Sequence, residues 1–515
     1  MADIAETLRA PGAIERLSTQ RHSLGYYYNV GVTARYTSPP GQRLSRLVLF
    51  KALEAAICTH ASLGLTVLNE DTATPNFARL KTIDLDEVVT FVQLSGTSDE
   101  AQQQEFDKIL SEQHSVPFRK LGQLPVWRVL LIEPEKYDAE RGVDVVFIYH
   151  HGIGDGATGQ AFHMTLLKSL ERLPPSKEEE EAHLPYLVTP PALQLLEPLE
   201  SLVPLPLSPA FVFHTLWTRV WFTRPRPPTF WSGPLAHLPP RGLKTCLRTV
   251  AFSPQTVSRL ISACRAEKTT ITALLQALIA KSFFSTLPAS TTTSLSSTIA
   301  VNLRRHMPAS ITDETMGVFV CSIAANHSRT KFEQTPLWDL ARKYRRKLAS
   351  RVDAGTRNAD VGMLKHVDDF EKHCRGQVGK SHENTFELSN LGVFKGCKST
   401  AGWDIPTRIL FSQSASVSGS AVDFSAMSVK GGEMALGVGY QVGVVEPEFV
   451  ARLVAALKSE VEGIAAGVEN VKSHWVKNVP ESIRVQGGDL DLEGFNDDPG
   501  PFAEPEKVKR LKVNE

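Results

Sequence analysis

His150-His151-Gly152-Ile153-Gly154-Asp155-Gly156 is the stretch on which the reading of this chain turns. Two imidazoles, an acid and three glycines directly follow Val143-Asp144-Val145-Val146-Phe147-Ile148-Tyr149, whose β-branched and aromatic residues predict a buried strand. The histidines therefore fall where a strand ends, and the glycines let the backbone turn sharply beside a ligand. A neutral imidazole at such a turn can take a proton from an alcohol, thiol or amine, because its unperturbed pKa lies nearest neutrality. Asp155, four residues after His151, can orient a ring or hold the turn by pairing with an arginine elsewhere. Zinc fits less well. Adjacent histidines point to opposite sides of an extended segment, and no third His or Cys stands nearby at ligand spacing, so no metal site is expected.

Outward from the motif, Trp127 to Ile132 reads as a preceding strand and residues 159–167 return to helical spacing, giving strand, turn and helix in order. Earlier, 45–63 has helical and 82–94 strand patterning. Residues 174–240 are rich in proline with a charged run at 176–181, which predicts a linker. Within it, residues 210–222 are apolar and aromatic but too short to span a bilayer. As a helix this segment either packs between the flanking halves, the preferred reading, or lies on a membrane with Arg219 and Arg224 near the surface. The pattern restarts with a strand at 243–252, then two helices capped by Ser253 and Thr270. Expected divisions are 1–175, 176–240, 241–480 and a flexible or peripheral tail at 481–515.

At 515 residues the chain exceeds what one core usually organises. Its 56 basic and 56 acidic residues cancel, and no long basic run interleaves with aromatics, so nucleic acid is not an expected partner. Six scattered cysteines without a C-x-x-C pair suit reduced thiols. The start, Met1-Ala2-Asp3-Ile4-Ala5-Glu6, lacks a basic region followed by an apolar stretch, so a cytoplasmic protein is expected, with peripheral contact to endoplasmic reticulum or lipid droplets if residues 210–222 touch a membrane.

His150 to Gly156 resembles the H-H-x-x-x-D-G signature of the CoA-dependent acyltransferase superfamily, which includes condensation domains, plant acyltransferases and fungal alcohol acetyltransferases. Thr385-Phe386-Glu387-Leu388-Ser389-Asn390-Leu391-Gly392 looks like the S-N-L-G strand of the alcohol acetyltransferase branch, Val301-Asn302-Leu303-Arg304-Arg305 like its arginine-bearing strand, and Met316-Gly317-Val318-Phe319-Val320 like the glycine segment that follows. The opening, from Arg21-His22-Ser23-Leu24-Gly25 through Tyr27 to Val32, is also similar. Plant members carry D-F-G-W-G where this chain has Asp423-Phe424-Ser425-Ala426-Met427, which argues against that branch. The resemblance covers roughly residues 10 to 475.

The resemblance implies an α/β (α+β) fold of two chloramphenicol-acetyltransferase-like halves, each a mixed sheet flanked by helices, with the active-site channel between them. It implies a monomer that acetylates a small hydrophobic alcohol directly from acetyl-CoA, a cosubstrate, with no permanently bound cofactor. His151 would be the general base, His150 a support, Asp155 structural and Gly156 the turn. Arg304 or Arg305 would pair with Asp155, while Ser389 and Asn390 would either contact the donor or merely form a turn before Gly392. No G-x-S-x-G stands in the chain and no cysteine adjoins the motif, so no acyl-enzyme is expected. N-acetylation of a hydrophobic amine is the alternative chemistry, and a catalytically degenerate binding protein the alternative class. A glycerolipid acyltransferase is disfavoured by His151 and the S-N-L-G segment, and a peptide-synthetase condensation domain by the lack of room for companion domains.

Overall fold

Every residue of the strand Val143–Tyr149 is buried, because the strand lies third in a five-stranded sheet and is covered on both faces. Its one acid, Asp144, is held by Arg35 through Nε and Nη2 at 3.0 and 2.6 Å. The sheet order is Arg408–Gln413, Val30–Tyr36, Val143–Tyr149, Trp127–Pro134 and Val89–Leu94, antiparallel except for the last pair. This computed structural model describes residues 3–39, 42–135, 142–173, 185–217, 229–239, 242–396, 403 and 406–467.

A second, six-stranded sheet runs Thr245–Phe252, Met434–Gln441, Ser420–Val429, Asn384–Phe394, Ser294–Asn302 and Val320–Ser328. Asn384–Phe394 pairs in parallel with both neighbours and the remaining pairs are antiparallel. Both sheets are flanked by helices, giving the mixed α/β architecture of two halves. Arg46–Thr59 packs with Gly156–Leu170 beside the first sheet, while Ile271–Thr286 lies between Leu337–Asp353 and Pro447–Ala465 beside the second. Ser253 and Thr270 cap their helices by accepting from Thr256 N and Ala273 N.

One strand departs from the order of the chain. Arg408–Gln413 lies by position within 241–480, yet it forms the edge of the first sheet against Val30–Tyr36. Glycines make the crossing sterically open: a Cβ on Gly437 would stand 2.7 Å from the Phe411 carbonyl oxygen, and one on Gly439 3.4 Å from that of Gln413.

Other local differences have local causes. The strand pattern of 82–94 is broken by the helical turn Leu85–Val88, because the Asp84 carboxylate accepts from Asp86 N at 3.0 Å and starts it. The 45–63 helix ends at Thr59 and continues as a 3₁₀ turn, Ala61–Gly64. In the proline-rich region, Ser208 caps the helix Pro209–Leu216, which buries none of its residues. Phe213 is 64% exposed and stacks on Trp217 with ring centroids 5.4 Å apart. Phe211, Val212 and Thr215 are half-buried, so the described part of the segment is covered on one side only; the rest of it, with Arg219 and Arg224, lies outside the described residues, as do the charged run 176–181 and the tail 481–515. Among the described residues no helix is long and apolar enough to cross a membrane.

Candidate active site

His151 follows directly on the end of the buried central strand. Its side chain is half-buried, and its ring lies 5.8 Å from that of Tyr27, centroid to centroid. Nδ1 is closed off from solvent and makes no hydrogen bond of ordinary geometry; the residue's own backbone carbonyl is the acceptor beside it, which favours a proton on Nδ1 and a basic Nε2. Burial pushes the imidazole pKa below its ordinary value, against the pull of that carbonyl; Arg21 adds to the lowering and Asp155 opposes it. The result is an imidazole held neutral.

Asp155 sits where four bonding demands converge. Its Oδ1 caps the helix Gly156–Leu170 by accepting from Ala157 N and Thr158 N at 3.1 and 3.3 Å. Arg304 grips both oxygens, Nη1 to Oδ2 at 2.8 Å and Nη2 to Oδ1 at 2.9 Å, and Phe319 N donates to Oδ2 at 2.9 Å. Arg304 is 3% exposed and spends its remaining donors on the Thr315 and Gly317 carbonyls and on Asn302 Oδ1. The 3₁₀ turn Arg304–His306 sends only the first arginine inward; Arg305 is exposed. No bond joins Asp155 to His151. Gly156 starts the helix, and a Cβ there would strike Leu391 Cδ2 at 2.5 Å, so the glycine permits close approach of the second half.

His150 is fully buried, and its Nδ1 accepts from Gly152 N at 2.8 Å, which fixes the turn. Its Nε2 proton goes to Glu70 Oε1 at 3.1 Å. The other Glu70 oxygen takes the Nδ1 proton of His22 at 2.8 Å, while His22 Nε2 accepts from Phe118 N at 2.9 Å. Burial alone would raise the Glu70 carboxyl, but His22 and the hydrogen bonds of both rings outweigh it and bring the pKa to about 2. Burial lowers His150 to about 4 despite the Glu70 bond.

The three residues have the ligand types and spacing of a metal site, with ligand atoms within 4.8 Å of one another. The donors behind them do not fit a metal. Coordination through His22 Nδ1 and His150 Nε2 would move each ring proton to the opposite nitrogen, where a backbone N–H already points. The cluster is a hydrogen-bonded brace.

Ser389 and Asn390 lie on opposite faces of Asn384–Phe394. Ser389 Oγ donates to Glu387 at 2.8 Å; Asn390 donates to Thr272 at 3.0 Å and accepts from Gly392 N at 2.9 Å. Gly392, at φ +78°, completes that turn. Both side chains are thus engaged internally. Sequence reasoning missed Glu70, a lone acid in a turn with no motif around it, and the grouping of Tyr27, Gln413, Glu387 and Asp423, which joins strands far apart in the chain.

Comparison with known proteins agrees with this architecture. The alcohol acetyltransferase family profile matches residues 10–459. A probable alcohol acetyltransferase of Aspergillus fumigatus is 29% identical over 466 residues, covering 86% of this chain and 96% of the relative. One from Fusarium pseudograminearum is 24% identical, covering 90% and 96%. Among solved structures, the trichothecene 15-O-acetyltransferase of Fusarium sporotrichioides superposes with a TM-score of 0.63 at 14% identity over 89% of this chain and 95% of its own. The first condensation domain of the CDA synthetase gives 0.55 at 14% identity over 90% and 96%.

Proposed function

Since the chain belongs to the alcohol acetyltransferase family and is an acyltransferase using acyl-CoA, we propose that it acetylates the hydroxyl of a hydrophobic alcohol with His151 as general base. The observation that carries this reading is the place of the His151 ring, directly after the buried central strand and beside the contact of the two halves, with Nδ1 shielded from solvent and its pKa lowered by burial. In the proposed step Nε2 takes the hydroxyl proton as the oxygen attacks the thioester carbonyl of acetyl-CoA. Collapse of the tetrahedral intermediate breaks the C–S bond, and the imidazolium returns the proton to the CoA thiolate. Such base catalysis contributes about 10² to 10⁴-fold, roughly 3 to 5 kcal/mol. Positioning of both substrates and hydrogen bonds to the oxyanion supply the rest.

On this reading Asp155, Arg304 and the Glu70 brace hold the turn and carry no proton. Ser389 and Asn390 shape the donor side through the strand they stiffen, their side chains being spent on internal bonds. The exposed helix Pro209–Leu216 gives contact with a lipid surface, from which a hydrophobic acceptor would be drawn. The test mixes purified protein, acetyl-CoA and a panel of alcohols and amines, follows free thiol release and identifies products by mass. Ester products that vanish with His151→Ala support the reading; amides alone would replace it with N-acetylation, and no thiol release would sink it.

A further inference from the structure

Beyond Tyr27, on the side away from the His151 turn, the two halves enclose polar groups that the proposed acetyl transfer does not use. Glu387 and Asp423 are register partners on parallel strands, so their carboxyls share one face. Asp423 is only 4% exposed, and among the described residues no hydrogen bond reaches its carboxyl. Glu387 receives one bond, from Ser389. Facing them from the exchanged strand is Gln413, 5% exposed, whose Oε1 accepts from the Tyr27 hydroxyl at 3.0 Å. Its Nε2 lies beside the Glu387 carboxyl and eases it downward, though no hydrogen bond of ordinary geometry closes between them. Arg21 caps the group, donating to Ser416 at 2.8 Å and lying 4.4 Å over the Tyr27 ring without pairing with either acid.

We propose that Asp423, Glu387 and the Gln413 amide form a subsite for a second hydroxyl of the acceptor, remote from the one that is acetylated. The inference rests on the alcohol acetyltransferase reading above and names the class of alcohol. The Gln413 amide, beside Glu387 without closing a hydrogen bond of ordinary geometry, shares one buried group with the Asp423 carboxyl, which receives none. A hydroxyl answers both, accepting from Nε2 and either donating to the carboxyl or accepting from it, whereas an ammonium offers only donors. Burial raises the Asp423 carboxyl well above its usual range, with Glu387 adding to the rise and Arg21 opposing it, which favours an uncharged guest. Tyr27 spans the gap from the His151 ring to Gln413, so the two hydroxyls sit on opposite ends of an apolar scaffold. Vicinal diols cannot reach both.

The experiment measures kcat/KM for acetyl transfer to matched pairs: a straight-chain primary alcohol against its α,ω-diol, and a 3-hydroxysteroid against the 3,17-dihydroxysteroid. The wild-type protein should favour the dihydroxy member of at least one pair by about 10 to 100-fold, beyond the statistical factor for equivalent hydroxyls, because the monoalcohol leaves buried polar groups unpaired. Asp423→Ala and Gln413→Leu should each bring that ratio close to one, chiefly by raising KM for the diol, and Asp423→Asn should restore part of it. Gln413→Leu alone decides the matter if Asp423→Ala does not fold. A wild-type ratio of one in both pairs, or a ratio that survives both variants, overturns the subsite while brisk monoalcohol turnover leaves the acetyltransferase reading standing. Absence of thiol release with every alcohol is the failure of that parent reading, and the subsite falls with it.

Discussion

Arg304 binds both carboxylate oxygens of Asp155, at 2.8 and 2.9 Å, and the pair bolts the Gly317 segment of one half to the helix Gly156–Leu170 of the other. Removing one partner strands a buried charge, at a cost of roughly 3 to 5 kcal/mol. Asp155→Ala and Arg304→Ala should therefore lower the melting temperature by several degrees as well as activity. Arg304→Lys should also destabilise, since an ammonium cannot make the two-pronged contact. An Asp155→Asn protein that melts like wild type but has lost turnover would instead assign Asp155 a proton-relay role.

His151 makes no hydrogen bond to another side chain, so its loss should spare the fold. His151→Ala is expected to lower turnover by about 10² to 10⁴-fold with an unchanged melting curve. Because burial depresses its pKa, the acid limb of the kcat/KM profile should fall below the ordinary histidine range. A limb at or above that range would contradict the buried, neutral base.

Acid should loosen this protein earlier than carboxylate titration would. His150 and His163 are lowered to about 4, and His114 and His327 to about 3, in each case mainly by burial. A histidine whose folded pKa lies below its unfolded value adds stability that is complete above about 6.5 and is lost as pH falls toward the folded pKa. Glu70, also depressed, adds stability present above about 4.5 and lost toward 2. Melting temperature should thus decline from pH 7 to pH 5; a flat profile over that window would count against neutral buried histidines.

The backbone N–H groups behind His22 and His150 predict indifference to metals. Prolonged EDTA treatment, or equimolar zinc, should change neither melting temperature nor turnover. Loss of activity on chelation, restored by zinc, would show that the rings can exchange their tautomers for a metal.

The helix Pro209–Leu216 exposes Phe213, Leu216 and Trp217 together. Sedimentation with phospholipid vesicles should carry down part of the wild-type protein, and Phe213→Ser with Trp217→Ser should release it. Equal sedimentation of wild type and variant would remove this helix from membrane binding.

Much of the frame is legible in the sequence because it is local. The β-branched run before His150 specifies a buried strand, and Ser253 and Thr270 announce helix starts that the structure contains. What is not legible depends on contacts made across the chain. Arg304 and Arg305 are equivalent on paper, and only the turn at 304–306 separates them. Asn390 reads equally as ligand or turn residue until Thr272 and Gly392 engage both ends of its amide. Glu70 meets His22 and His150 across 48 and 80 residues, and no periodicity encodes such a meeting.

The placement of Arg408–Gln413 against Val30–Tyr36 bears on how this enzyme can be divided. A two-fragment version cut in the proline-rich stretch would leave the first fragment with an open sheet edge and the second with a surplus strand. The fragments should therefore recognise each other by strand donation and reassemble only as a pair, and a first fragment carrying its own copy of residues 408–413 should refuse the exchange.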